Sequence, residues 1–466
     1  MNSSKPKITP ALPRGMRDLL PDQLAVRYKV IETLRRVFEL YGFQPLETPA
    51  MERLEILSGK GGEESDKLSF LVMKRGEELQ RALEKVKTEN LNGSEAAKEL
   101  ADQGLRYDLT VPLARVAAMY QGKLPMPFKR YQIAPVWRAE RPQHGRYREF
   151  TQCDIDVVGA DNSLADAEIV SIFVDAYRAL GLEVEVEIND RRLLTALSLA
   201  CGNRDNQYSG FCTALDKLDK IGWDGVLKEM GERGLDVSKS RELQKVCDGR
   251  FQIGSSNANG KLCALGNFIQ SEAILKETTD FHKLLVNLGI AGQGKVIFDP
   301  TLARGLDYYT GFVIEAKMAA GGVGSLGGGG RYDGLVGAFS KESLPAVGAS
   351  FGLDRIADVL NAQVGATGPE VGVLCGGDLD STNTAGLGEA AASLRAEGIS
   401  CEITYIPTQK LGKQIQSASR RNCRFVVIVG GDEEGSEPGY QVKRLSDGEQ
   451  RRLTLSQIVE WIKESK

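Results

Sequence analysis

KRYQIAPVWRAERPQHGRYREFTQCDIDVVG, residues 129–159, holds two runs of strand-forming residues, Lys129 to Glu140 and Arg148 to Gly159. Between them lies a polar loop, Arg141-Pro142-Gln143-His144-Gly145-Arg146. Side chains alternate across a strand, so Phe150, Gln152, Asp154 and Asp156 share one face and Thr151, Cys153, Ile155 and Val157 the other. The second face is largely apolar and suits a core. The first carries two carboxylates, an amide and a ring in one row, a set that binds a cationic amine if it faces a ligand. The preceding strand sets Arg138 and Glu140 on one face. Paired antiparallel, the two runs gather guanidinium, carboxylates and amide over one sheet surface. Arg donates in pairs to phosphate, and the loop adds Arg141, Arg146 and Arg148. A surface strand and a solvated loop would carry the same letters, so this segment alone leaves both readings open.

Upstream, Pro21-Asp22 opens a helical stretch in which Leu24, Ile31, Leu34, Phe38 and Tyr41 recur at helical spacing and Gly42 stops it. Phe43 to Thr48 reads as a strand closed by Pro49. Residues 60–104 are rich in Glu and Lys around one apolar run, Phe70 to Met73, which predicts a strand or hairpin and then an exposed helix with a solvated charged face. Downstream, 163–180 reads as an amphipathic helix and 183–189 as a strand. Residues 190–295 read as a polar, mostly helical inserted module, and strands return at 296–299 and 306–317. Ala362 to Pro369, small and Gly/Pro-bearing, is the clearest linker. Beyond it, strand 370–375, helix 383–398, strand 401–406, helix 409–421, strands 424–429 and 440–445 and helix 455–464 predict a separate α/β domain over 370–466.

Three further segments carry candidate chemistry. In Leu302-Ala303-Arg304-Gly305-Leu306-Asp307-Tyr308-Tyr309-Thr310-Gly311, two glycines bracket a short strand whose tyrosines point to opposite faces, with Arg304 at its mouth. The run Gly327-Gly328-Gly329-Gly330-Arg331-Tyr332-Asp333-Gly334 fits neither a dinucleotide fingerprint nor a P-loop. Its glycines let two backbones, or a backbone and a ligand, approach closely. In Gly348 to Arg355 a strand passes into a helix with Arg355 in the first turn. A cation there opposes the helix dipole at a cost of about 0.3–1 kcal/mol, which a bound anion offsets.

Composition limits the alternatives. The 466 residues are 42% hydrophobic and 26% charged, as in globular proteins of two or three domains. Lys+Arg 59 against Asp+Glu 63 leaves a net charge of -4, so any RNA contact must use a local basic face. Eight cysteines without C-x-x-C spacing and only two histidines, His144 and His282, argue against zinc and for reduced thiols. The N-terminus lacks an apolar core for a secretory signal, and no run of 18 apolar residues suggests a membrane span. The reading is therefore cytoplasmic, with organellar use left open.

Together these segments resemble the class II aminoacyl-tRNA synthetases. Residues 22–41 and the strand ending at Pro49 resemble motif 1, a dimer element. Residues 129–159, with Trp137-Arg138-Ala139-Glu140 at the head of the loop, resemble motif 2, and 348–360 resemble motif 3. Arg304 to Tyr309 and Gly328 to Asp333 resemble the two signature peptides of the histidyl-tRNA synthetase family, as does the loop 141–148. The resemblance implies an α+β catalytic domain over 1–361, built on an antiparallel sheet flanked by helices with the helical insertion at 190–295. A C-terminal α/β anticodon-binding domain follows, and the chain pairs as a homodimer. It implies ATP as a substrate with accompanying Mg2+, no zinc or other protein-held metal, and histidine and tRNA(His) as partners for cytoplasmic translation. Carried over by motif, Arg138 holds the α-phosphate, Glu140 the adenine amino group and Arg355 the γ-phosphate, while Phe150 stacks on adenine. Asp108, Thr110, Gln152 and Asp156 hold the histidine amine, and Tyr308 and Tyr309 line the imidazole pocket. Arg304 is the catalytic cation on the α-phosphate, next to the bound histidine, and Arg146 and His144 meet the tRNA acceptor end.

Two departures stand out: Trp137 where many relatives have Phe, and His144 where Lys or Arg is common. For RNA, Lys410, Lys413, Arg420, Arg421 and Arg424 fall in a stretch without an acidic residue, which predicts a basic anticodon patch. Non-catalytic relatives of the family regulate histidine biosynthesis or sense uncharged tRNA. Retention of Arg138, Arg304, Arg355 and the full C-terminal domain argues against that alternative, and against a synthetase for another amino acid stands the tyrosine-bearing signature.

Overall fold

A computed structural model describes residues 9–58, 68–142, 147–303, 309–322, 324–339, 343–361, 368–430 and 439–465. The chain divides into two compact units: Met1–Leu19 with Val26–Leu360, and Leu20–Ala25 with Asn361–Lys466.

The helix Pro21–Leu40 places Pro at its first position, where the missing N–H costs nothing. It buries Val26, Val30, Leu34, Val37 and Phe38 along one stripe, and Gly42 ends it at φ +76°. The strand expected over 43–48 shrinks to β1 (Gln44–Pro45). A small antiparallel sheet follows, made of β2 (Met51–Arg53), β3 (Phe70–Met73) and β4 (Ala101–Leu105), with β4 in the middle. The charged segment thus holds more than the expected strand or hairpin and one exposed helix. Gly76–Thr88 is the exposed helix expected. A second helix, Gly93–Leu100, is fixed by a capping box between Asn92 and Glu95 and delivers the chain into β4.

The large sheet adds β5 (Phe128–Trp137), β6 (Glu149–Val158), β7 (Val184–Asp190), β8 (Phe251–Gln252), β9 (Lys295–Phe298), β10 (Phe312–Met318), β11 (Gly327–Arg331) and β12 (Ala346–Phe351). Its order is β1-β5-β6-β12-β11-β10-β7-β9-β8. All its pairings are antiparallel except β1 with β5 and β7 with β9. The expected α+β architecture of an antiparallel sheet flanked by helices is present. One face of the sheet lies on the helix Ser163–Ala179, capped by Asn162, which accepts from Leu164 N at 3.1 Å. Phe173 and Phe351 stack there with centroids 4.7 Å apart. The helices of 191–287 are mostly polar outside, but Leu193, Phe211, Leu262 and Leu285 join the same core as Ile155 and Val186.

The glycine run forms strand β11, which the sequence did not suggest. A Cβ on Gly329 would lie 2.1 Å from the Gly348 carbonyl oxygen, and one on Gly330 would lie 2.5 Å from that of Phe312. Only glycine lets these backbones pair here. Of the short strand expected between Gly305 and Gly311, 305–308 lie outside the described residues; β10 begins at Phe312.

The C-terminal unit holds β13 (Val371–Cys375), β14 (Cys401–Ile403), β15 (Phe425–Val429), β16 (Tyr440–Arg444) and β17 (Gln450–Leu453), in the order β14-β13-β15-β16-β17. Its first three strands in that order are parallel and the last two antiparallel. Period-two alternation sends Val371, Val373, Phe425 and Val427 toward a cluster with Leu387 and Ile458. Leu374, Val426 and Ile428 point to the other side, with Ala418. β17 was not foreseen.

Candidate active site

β5 and β6 pair antiparallel with Arg130 opposite Asp156, Gln132 opposite Asp154, Ala134 opposite Gln152 and Val136 opposite Phe150. All eight therefore stand on one face, and Cys153, Ile155 and Val157 lie in the core beneath. β12 continues this face with Gly348 beside Asp156 and Ser350 beside Asp154. The floor next to Asp156 is thus bare backbone: a Cβ on Gly348 would meet Asp156 Oδ1 at 1.9 Å, and one on Gly330 would meet the Tyr309 ring at 3.0 Å.

Arg138 and Glu140 do not stand on the strand, because β5 ends at Trp137. Arg138 remains close nevertheless. Its Nε donates to the Tyr107 carbonyl at 3.2 Å, and its guanidinium lies 5.0 Å from the centre of the Phe150 ring. Glu140 is exposed, and its carbonyl accepts from Arg148 Nε at 2.9 Å. Buried Arg106 donates to the carbonyls of Thr48 at 2.6 Å and Pro135 at 3.0 Å, tying 106–108 to the end of β5. Asp108 follows immediately, half-buried, and accepts from Val111 N at 3.1 Å in the first turn of the helix Thr110–Met119. Burial raises the Asp108 carboxyl, and Arg138 and Arg130 oppose that rise.

Asp156 is held on two sides. Arg130 Nη2 lies 2.7 Å from its Oδ2, and the Tyr332 hydroxyl donates to its Oδ1. Burial lifts Asp156 to about 6 and its neighbour Asp154 to about 7, against the pull of Arg130. Tyr309 packs against the cluster that holds Tyr332 and Leu113, at the Asp156 end of this face. Arg355 sits as expected in the first turn of the helix Leu353–Asn361, exposed, with Nη1 donating to the Ser325 carbonyl at 2.6 Å. Beside it Asp354 takes Arg17 at 3.1 Å and Arg27 at 3.3 Å. Arg304, Tyr308, His144 and Arg146 lie outside the described residues.

Of the predicted set, the fold brings together Asp108, Thr110, Arg138, Phe150, Gln152, Asp156 and Tyr309. It adds three that sequence reasoning passed over: Arg130, Asp154 and Tyr332. Asp154 was on the right face but given no role. Arg130 stands an even number of positions from Arg138, which puts it on the same face of an extended run, and that was the available signal.

A profile described as histidyl-tRNA synthetase matches residues 97–356. The chain belongs to the histidyl-tRNA synthetase family. A second profile, described as an anticodon binding domain, matches 374–465. The chain is similar to the histidine–tRNA ligase of Bacteroides fragilis, 39% identical over 457 residues, which cover 97% of this chain and 98% of that protein. The histidine–tRNA ligase of Cytophaga hutchinsonii is likewise 39% identical, over 97% of this chain and 98% of its own length. Among solved structures, histidyl-tRNA synthetase from a Nostoc species superposes with a TM-score of 0.81 at 28% identity, covering 99% of this chain and 100% of that one. Apo histidyl-tRNA synthetase from S. aureus shares the fold at 20% identity, with a TM-score of 0.62, over 98% of this chain and 100% of that one. The chain is thus an enzyme, an aminoacyl-tRNA ligase of class II.

In the C-terminal domain the helix Leu411–Arg420 turns Gln414 and Ala418 inward. Gln414 is clamped to the end of β13, accepting from Cys375 N at 3.1 Å and donating to the Cys375 carbonyl at 2.8 Å. Lys410, Lys413, Arg420 and Arg421 are left exposed. The patch is narrower than five free cations: Arg421 lies 2.5 Å from Glu402, and Arg424 lies 3.5 Å from Glu370. Tyr405, 79% exposed, stands with the Arg421 guanidinium 5.8 Å from its ring centre.

Asp154 gives the first test. Its folded pKa lies above the unfolded value near 4, so its stabilising contribution is complete below about pH 4 and is lost as pH rises through about 7. Asp154→Asn should therefore gain stability over the wild type between pH 5 and 8.5, by at most about 4 kcal/mol. Urea unfolding of both proteins across that range checks it; parallel pH curves would refute the assignment.

Proposed function

We propose that the glycine-floored face of the large sheet is where the chain activates histidine with ATP before transferring it to tRNA(His). One observation carries this reading: two buried or half-buried carboxylates, Asp108 and Asp156, and the Gln152 amide lie near Arg138, whose guanidinium is over the Phe150 ring, at one face of the sheet. The acidic end fits an ammonium group and the arginine a phosphate. Asp108, Thr110, Gln152 and Asp156 hold the histidine amine, and Tyr308 and Tyr309 line the imidazole. Arg138 takes the α-phosphate, Phe150 and Glu140 the adenine, and Arg355 the γ-phosphate. Arg304 supplies the second cation at the reacting centre.

The reaction follows from these charges. The histidine carboxylate attacks the α-phosphate and pyrophosphate leaves; the tRNA terminal hydroxyl then attacks the adenylate carbonyl and AMP leaves. Negative charge develops on phosphoryl and acyl oxygens in turn, and fixed guanidinium groups aimed there lower both barriers. Histidine is distinguished by hydrogen bonds to its ring nitrogens, since an analogue leaves buried polar groups unpaired. Among the described residues no group of three His, Cys, Asp or Glu side chains is arranged to hold a metal ion. Mg2+ accompanying ATP would supply positive charge to the phosphate oxygens.

Histidine-dependent exchange of pyrophosphate into ATP tests the site. It should require histidine and collapse in Arg304→Ala. A folded protein that binds tRNA without exchange would instead be a regulatory relative.

The C-terminal domain serves as the anticodon reader, with Lys410, Lys413, Arg420 and Arg421 on the RNA backbone and Arg146 and His144 at the acceptor end. Reversing Lys410, Lys413 and Arg420 to Glu should raise the tRNA KM at least about tenfold and flatten its salt dependence. Histidine-dependent exchange should stay at the wild-type rate; equal loss in both assays would mean misfolding. The chain works as a homodimer in the cytoplasm, with Tyr28 and Leu40 of the first helix, 62% and 85% exposed, available for burial. Sedimentation at micromolar concentration should give twice the chain mass, and a monomer that exchanges pyrophosphate at full rate would refute the pairing.

A further inference from the structure

Behind the Asp156 carboxylate lies a guanidinium that touches no solvent. The side chain of Arg130 is 0% exposed. Its Nη2 reaches Asp156 Oδ2 at 2.7 Å and the Leu109 carbonyl at 3.2 Å. Its Nε and Nη1 have no hydrogen-bond partner among the described residues, and neither has Asp154 Oδ1 on the adjacent strand. Removing such an ion from water costs several kcal/mol, and a well-packed apolar side chain would serve stability as well. The opposite face of the same two strands uses apolar residues, Tyr131 and Ile155 among them. Arg130 therefore answers a need other than packing.

The groups facing Asp156 show what that need is. On its own strand stands Asp154, and before the helix Thr110–Met119 stands Asp108. From β5 comes Arg130, and just beyond β11 the Tyr332 hydroxyl. β12 offers only Gly348 and Ser350 at these positions. Arg138 lies toward Asp108, at the end assigned to the nucleotide. Three carboxylates thus share one buried cation at the amine end of the pocket. Without that cation Asp156 would hold a proton near neutral pH and could not pair with an ammonium group.

We infer that Arg130 is a positioning residue for histidine recognition: with the Tyr332 hydroxyl it fixes the Asp156 carboxylate, charged, where the substrate's ammonium group arrives. The inference rests on the assignment of Asp156 to the amine.

The test is exchange kinetics with the full chain between pH 6 and 9. Arg130→Met keeps the side-chain bulk and removes the charge. It should raise the histidine KM about 30-fold at pH 7.5 with the ATP KM within about threefold. The ratio of mutant to wild-type histidine KM, in which the substrate's own titration cancels, should fall as pH rises and Asp156 ionises. Arg130→Lys should recover part of the loss. Tyr332→Phe, which removes one hydroxyl and keeps the fold's packing, should raise the histidine KM about tenfold. In calorimetry, histidinol, which keeps the ammonium group, should bind Arg130→Met more weakly. Imidazolepropionate, which lacks it, should bind both proteins alike.

An unchanged histidine KM in folded Arg130→Met would overturn the inference, as would a pH-independent loss shared equally by histidine and ATP. Should Arg130→Met fail to fold, Arg130→Lys and Tyr332→Phe decide: a wild-type histidine KM in both overturns it. Asp156→Asn separates the two levels. If it leaves the histidine KM unchanged, the amine assignment itself is wrong. If it raises the KM while the Arg130 and Tyr332 variants do not, only the positioning role is lost.

Discussion

Arg138→Ala should lower kcat for histidine-dependent pyrophosphate exchange by about a thousandfold, with a melting temperature within a few degrees of the wild type. The guanidinium spends one donor, Nε, on the Tyr107 carbonyl and rests over Phe150. Its two Nη groups make no hydrogen bond or ion pair among the described residues. They are the paired donors that match two phosphoryl oxygens. The contact with Phe150 contributes only about 0.5–1 kcal/mol to the fold, so the loss should fall on catalysis. Arg138→Lys should recover little, because an ammonium group cannot both stack on the ring and donate as a planar fork. Single-turnover measurement of adenylate formation gives the number directly. A rate within fivefold of the wild type would remove Arg138 from the reacting centre.

That arginine also marks how far the sequence could be read. The row Phe150, Gln152, Asp154, Asp156 was legible because polar and apolar residues alternate with period two, and the fold puts that row where alternation said. The same alternation counted back from Arg138 puts Arg130 on that face, but Arg130 stands apart from the loop, where the charges cluster. Burial was the missing quantity: a single Arg in an extended run looks solvated until a neighbouring strand closes over it. Tyr332 was illegible for a related reason. It follows four glycines that form a strand only because β10 and β12 leave no room for a Cβ, and that is a property of three strands together. The helix Gly93–Leu100 was missed although Asn92 and Glu95 stand at capping-box spacing. Its charged composition hid a local signal that was present. The C-terminal domain was the easiest to read, since its core strands are short apolar runs and its helices carry one apolar stripe each. Only β17, Gln-Arg-Arg-Leu with three exposed residues, lacked that pattern. The cations of 410–424 are visible in the sequence as local charge, but Glu402 and Glu370, which pair with Arg421 and Arg424, lie outside that stretch.

The strongest consequence of the strand packing falls on a residue with no side chain. Gly348→Ala should raise the histidine KM at least about a hundredfold and also destabilise the protein. The new Cβ would stand 1.9 Å from Asp156 Oδ1, 2.6 Å from its Cγ and 2.7 Å from the Ile155 carbonyl oxygen. β6 is paired along its length with β5 and from Cys153 to Val158 with β12, so it can yield only a little, and the close Ile155 carbonyl strains that pairing. The carboxylate must move as well. Moving it breaks the ion pair with Arg130 and the bond from Tyr332 together, leaving two buried polar groups unmatched. Overpacking of this kind costs about 1–3 kcal/mol, and orphaning the buried charge about 3–5 kcal/mol more. Gly388→Ala is the matched control. It lies inside the helix Ser381–Ala396 with nothing within 4 Å of the new Cβ. There alanine should stabilise by about 0.5–1 kcal/mol and leave exchange untouched. Histidine and ATP KM values measured separately, beside urea unfolding, distinguish the outcomes. A folded Gly348→Ala with a normal histidine KM would mean that the amine end of the pocket lies elsewhere on the sheet. A raised histidine KM with an unchanged ATP KM would tie the bare floor of β12 to recognition of the amino acid.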